Sequence, residues 1–131
     1  MTNQEFYDKT VRHLVDQQVQ AWKEGDGCVY RLDHAPDKPL MCAAGCHIPD
    51  HLYRPDMEGN NITNVVKDEP KLKPFFPDLD LAQQLQMVHD KDSSWKQRGQ
   101  MGLSDKGVEL LRLVERHFSL QPFDFGAVSE A

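Results

Sequence analysis

Cys28-Val29-Tyr30-Arg31-Leu32, then Asp33-His34-Ala35-Pro36-Asp37-Lys38-Pro39, then Leu40-Met41-Cys42-Ala43: this stretch decides the fold class. Two short apolar runs flank a segment rich in Asp and Pro, the pattern of a β-hairpin. Elsewhere the periodicity is helical. A first helix is predicted over about 3–23, with Thr2 and Glu5 at capping-box spacing. Its stripe is Tyr7, Val11, Leu14, Val15 and Trp22, and Gly25-Asp26-Gly27 is its stop. A second helix fits about 79–90, capped by Asp78 or Asp80 and carrying Leu81, Leu85 and Val88. A third fits about 105–119, capped by Ser104, with Val108, Leu111, Val114 and Phe118 inward.

Between these, a short helix fits about 62–67, and Phe75-Phe76 is expected to plug the core. A polar loop over about 91–102 holds Trp95, and the chain after Gln121 is expected to fray. The expectation is one α+β domain over 1–131, α-rich, with three main helices packed on a short β-hairpin and a flexible tail at 121–131.

Size and charge narrow the function. The chain has 131 residues, 39% of them apolar and 27% charged, which suits one folded, well-solvated domain. No apolar run approaches the length of a membrane span of about 18 residues, and Met1-Thr2-Asn3-Gln4-Glu5 has no signal-peptide character. A cytoplasmic location without membrane association is expected. With 21 acids against 15 scattered bases and a formal charge of −6, the chain lacks the cations that displace counterions from phosphates, so direct nucleic-acid binding is not expected. Three cysteines make a poor disulfide framework and suit a reducing compartment.

The segment from Cys28 to Tyr53 holds all three cysteines and three of the six histidines. Pairing of the two strands would place Cys28 and Cys42 together at the open end of the hairpin. Three chemistries are open. Cys28, Cys42, Cys46 and His47 are soft and imidazole ligands suited to zinc, with His89 as a distant completing ligand, but they lack a matching second ligand pair. A nucleophile would be Cys42 or Cys46, with His89 as base and Asp50 or Asp90 orienting the ring. The favoured alternative is packing, with the cysteines as small hydrophobes beside Ala43-Ala44-Gly45. No phosphate loop, dinucleotide fingerprint or His-Glu-x-x-His motif occurs, so no cofactor is expected beyond possible zinc.

The ordered set Cys28-x-Tyr30-Arg31, Cys42-Ala43-x-Gly45, Ile48-Pro49-Asp50-x-x-Tyr53, Glu58-Gly59 and Leu85-Gln86-x-x-His89-Asp90 resembles a group of short uncharacterised proteins of phages, prophages and bacterial genomes. Cys46-His47 depart from that pattern, which usually has plain apolar residues there. The resemblance implies a genomic setting and a fold more than a function and, for a phage-encoded chain, the host cytoplasm.

The leading expectation is therefore a phage-related, non-enzymatic accessory protein that binds and modulates a host protein, with inhibition the expected effect. Tyr53, Trp95 and Phe123 are its candidate anchors, since aromatic side chains often dominate interfaces. The alternatives are a cysteine-dependent enzyme or small-ligand binder using Cys42 and His89 with Asp50 or Asp90, and a zinc-stabilised interaction domain.

Overall fold

The structure, a computed structural model, describes residues 1–23, 25–32, 40–96 and 101–126. Its first helix, α1 (Asn3–Gln17), opens with the capping box that the sequence spacing requires. The Thr2 hydroxyl accepts from the Glu5 N–H at 3.1 Å, and the Glu5 carboxylate accepts from the Thr2 N–H at 2.8 Å. The inward face is Phe6, Tyr7, Thr10, Val11 and Leu14. Helix α1 is shorter than its periodicity suggests. The Gln17 amide bonds both backbone groups of Met41 at 2.8 Å, and Gln18 turns left-handed at φ 68°. These tertiary bonds end the helix before Gly25, and Trp22 leaves the stripe to become half-exposed.

Beyond α1 lie two small antiparallel ladders. Strands β1 (Trp22–Lys23) and β2 (Gly27–Cys28) pair Trp22 with Cys28, and β3 (Arg31–Leu32) and β4 (Leu40–Met41) pair Arg31 with Met41. The second ladder is the expected hairpin, although its connection 33–39 lies outside the described residues. Cys28 belongs instead to the first ladder. This splits the two cysteines that a single long hairpin would have joined.

The remaining helices are α2 (Ile62–Asp68), close to the expected 62–67, and α3 (Leu79–Asp90) and α4 (Asp105–His117), which open at their predicted caps. Asp78 accepts from the Asp80 and Leu81 N–H groups, and Ser104 accepts from Gly107. Helix α3 is central: it packs against α1, α2 and α4 and buries Leu81, Ala82, Leu85, Val88 and His89. The result is a small α+β domain, with helices on short β-ladders. No helix among the described residues is long and apolar enough to cross a membrane.

The expected fraying after Gln121 does not hold for residues 121–125. The Gln121 N–H donates to Gln4 at 2.7 Å and the Phe123 N–H to the buried Glu115 carboxylate at 2.7 Å, while Arg112 lies over the Phe125 ring. Glu115 also accepts from Tyr7 and Arg112, so one buried acid straps the segment to the core. Residues 127–131 of that expected tail lie outside the described residues.

Gly45 sits so close to Tyr30 that a side-chain carbon there would collide with the Tyr30 carbonyl oxygen. This contact seats the Gly45–His47 turn on the chain entering β3. Overpacking of a backbone contact of this kind costs about 1–3 kcal/mol. Gly45→Ala is accordingly expected to lower the urea-unfolding free energy by about that much, and an unchanged midpoint would contradict the contact.

Candidate functional site

One histidine organises the site. His89 is fully buried in the last turn of α3. Its Nε2 accepts from the Ala21 N–H at 3.1 Å, so Nδ1 carries the proton and donates to Asp90 Oδ1 at 2.8 Å. Its carbonyl accepts from the Gln20 amide and the Trp95 indole, both at 2.9 Å, and the Trp95 ring meets it edge-on. The ring is thus neutral, fixed in one tautomer and held by three segments.

This arrangement delivers Asp90 to the surface. Its side chain is 43% exposed, and Oδ1 takes a second bond from the Gln86 amide at 2.7 Å. The other end of Gln86 accepts the Ala44 N–H at 3.0 Å, so the carboxylate is registered against the β4 exit. Cys28, opposite Trp22, completes the cluster. Ligand-type atoms of Cys28, His89 and Asp90 all lie within 4.8 Å of one another. Burial pushes the Cys28 thiol up to about 12, helped by the Asp90 charge and the hydrogen bond between them. It is a protonated donor, not a thiolate.

Cys28 and Asp90, with His89 buried behind them, form one wall of a cleft of about 430 Å³. Val29, Ile62 and Met87 supply its apolar surface; Asn60, Asn61, Gln83 and Gln86 supply amides; Glu58 and Asp90 are its acids. Glu58 is already spent on the fold. Its carboxylate accepts from the Tyr30 and Arg31 N–H groups and from the Tyr53 hydroxyl. Among the described residues, no Lys or Arg lines the cleft and none forms an ion pair with Asp90. Of the neighbouring bases, Lys23 pairs with Asp26 at 3.6 Å and Arg31 with Asp50 at 2.8 Å, while Lys91, next to Asp90 in the chain, lines a separate groove between α3 and α4.

Of the residues singled out by sequence, His89 and Asp90 meet Cys28 rather than Cys42. Cys42 is fully buried, its sulfur accepting the Gly45 N–H at 3.2 Å, and burial raises its thiol pKa. Asp50 sits on the surface and pairs with Arg31 rather than with an imidazole. The four-ligand set Cys28, Cys42, Cys46 and His47 does not converge. The Cys46 thiol donates to the Ala43 carbonyl, and burial holds it up at about 12. His47 stacks on Phe6 at 3.8 Å and bonds Thr10 at 2.6 Å. Among the anchors, Trp95 and Phe123 are buried, and Tyr53 is half-buried beneath Arg31, so Trp95 and Phe123 present no aromatic face.

Gln86 and Glu58, the pieces that orient the site, escaped assignment from sequence. Both belong to the quoted motifs, but a glutamine or glutamate bonding to distant backbone leaves no local pattern. For zinc, Cys28, His89 and Asp90 are suitable donor types. Both ring nitrogens of His89 are already bonded, however, so metal capture must break the Ala21 or the Asp90 contact. The same bonds prevent His89 from taking the Cys28 proton. No family model, curated protein or solved structure matches this chain.

Two predictions follow from the buried groups. Burial, with nearby Lys9 and His13, lowers the His47 pKa to about 3. An unfolded imidazole titrates near about 6.5, so between these values the unfolded chain holds the extra proton. This contribution is complete above the upper value and is lost as pH falls, by up to about 1.4 kcal/mol per unit. Urea midpoints should drop below about pH 6, less steeply in His47→Leu; parallel profiles would refute the assignment. At Cys28, alkylation should be slower than for free cysteine and several-fold faster in Asp90→Asn, because the raising charge is gone. Equal rates in the two proteins would exclude that contact.

Proposed function

We propose that this chain is a non-enzymatic binding protein whose working surface is the Cys28–Asp90 cleft, and that its ligand presents a positively charged group to Asp90. The observation that carries this reading is the uncompensated Asp90 carboxylate. It is held by His89 and Gln86, exposed in a cleft of about 430 Å³ and, among the described residues, paired with no Lys or Arg. A cleft lined by one sign of charge concentrates ligands of the opposite sign, and this volume lies within the range of small-ligand sites. Cys28, Tyr30, Glu58, Gly59, Gln86 and Asp90, drawn from three of the separate sequence motifs, line it together.

Binding is favoured over thiol catalysis because burial, with the Asp90 charge, keeps Cys28 protonated and the His89 ring has no free nitrogen. The likeness to phage and prophage proteins makes a host protein the expected partner, and modulation of that protein the expected consequence.

Calorimetric titration tests the reading with N-acetylarginine amide and its neutral citrulline counterpart. The wild type should prefer the arginine compound by about tenfold or more, a preference that weakens with salt and vanishes in Asp90→Asn. If both compounds bind alike, or neither binds, the reading fails.

A further inference from the structure

A thiol and a carboxylate meet over one proton on the wall of the cleft. The Cys28 thiol donates to the Asp90 carboxylate, and ligand-type atoms of Cys28, His89 and Asp90 lie within 4.8 Å of one another. Each of the two is also backed by an N–H donor. The Cys28 sulfur accepts from the Gln20 amide at 3.9 Å, and Asp90 Oδ1 accepts from His89 Nδ1 and from the Gln86 amide. Both of the latter bonds use Oδ1, which leaves Oδ2 for a further partner. Cys28 and Asp90 both line the cleft, and among the described residues no Lys or Arg does.

We propose that Cys28 Sγ and the Asp90 carboxylate chelate a thiophilic divalent cation, zinc above all, while His89 orients the carboxylate from behind. The inference rests on the reading of Asp90 as the group that receives a positive charge, and it adds Cys28 to that role. The exchange is balanced. The S–H bond breaks, its proton leaves to solvent, and the electron pair left on sulfur binds the ion. Thiolate and carboxylate then carry two negative charges, which a divalent ion neutralises. The Asp90 charge that disfavours a bare thiolate therefore favours a metal-bound one. Sulfur selects against magnesium and calcium, which take oxygen ligands. Capture through His89 would break its bond to Ala21 or to Asp90, whereas capture through Cys28 and Asp90 breaks neither. In many zinc sites a carboxylate orients the ligating imidazole; here the imidazole orients the ligating carboxylate. Zinc favours four tetrahedral ligands, so two protein donors leave two positions open to the cleft. Water or a donor atom of a bound ligand completes them, and the ion is exchangeable rather than structural.

Titration with cadmium, whose bond to thiolate absorbs in the ultraviolet, tests the proposal in wild type, Cys28→Ser and Asp90→Asn. The wild type should gain one equivalent of this absorbance, and zinc should reverse it. Cys28→Ser should lose it although Cys42 and Cys46 remain. Asp90→Asn should need about tenfold or more cadmium, at least the cost of losing an outer partner of a metal ligand. Asp90 is 43% exposed, so this second variant keeps the test decisive if Cys28→Ser fails to fold. Nitrogen NMR should show Nδ1 of His89 still protonated in the loaded protein. No absorbance in the wild type, absorbance that survives Cys28→Ser, or unchanged cadmium affinity in Asp90→Asn overturns the proposal. Loss of the Nδ1 proton on loading makes His89 a ligand and overturns the two-residue site. N-acetylarginine amide, titrated in parallel, separates the two readings. Its binding without cadmium binding refutes the metal site alone, and cadmium binding without an arginine preference refutes the organic-cation ligand alone.

Discussion

The hydrogen bond from the Ala21 N–H to His89 Nε2 fixes most of what is distinctive in this molecule. By taking the lone pair of Nε2, it obliges Nδ1 to hold the proton, and that proton aims at Asp90. The same residue anchors Trp95 and Gln20 through its carbonyl. The turn out of α1, the end of α3 and the Trp95 segment therefore converge on one buried imidazole. A buried polar group without such partners costs on the order of 1–3 kcal/mol, so a network in which every atom is used favours one arrangement strongly. The usual division of labour in a histidine–carboxylate pair is inverted here: the imidazole is buried as the support, and the carboxylate is presented.

That inversion gives the site its character. A carboxylate backed by two N–H donors is held in place without a countercharge, and the neighbouring thiol stays protonated beside it. On the reading proposed above, such a wall receives a cation rather than generating a nucleophile. Met87 lines both this polar cleft and a second, apolar groove between α3 and α4.

Much of the scaffold is legible in the sequence because it rests on local rules. Thr2 with Glu5, Asp78 and Ser104 are caps whose hydroxyl or carboxylate must lie within a few residues of the donors it satisfies. The β3–β4 pairing follows from two short apolar runs across a turn-rich connection. The end of α1 was hidden because Gln17 trades helix continuation for bonds to Met41, a partner 24 positions away. The two-residue ladder of Trp22 with Cys28 is too short to leave a period, yet it decides that Cys28, and not Cys42, faces His89 and Asp90. The site was half-legible for the same reason: His89-Asp90 marks a helix end, while its partners Ala21, Gln86 and Cys28 come from distant positions joined only in three dimensions.

The whole site depends on the state of His89. Nitrogen NMR of the imidazole at neutral pH reads it directly. The account predicts a neutral ring with the proton on Nδ1 and an unprotonated Nε2, and with Nδ1–H coupled to the Asp90 carboxylate. A proton on Nε2 would set two donors against each other at Ala21 and release Asp90, contradicting the site as described.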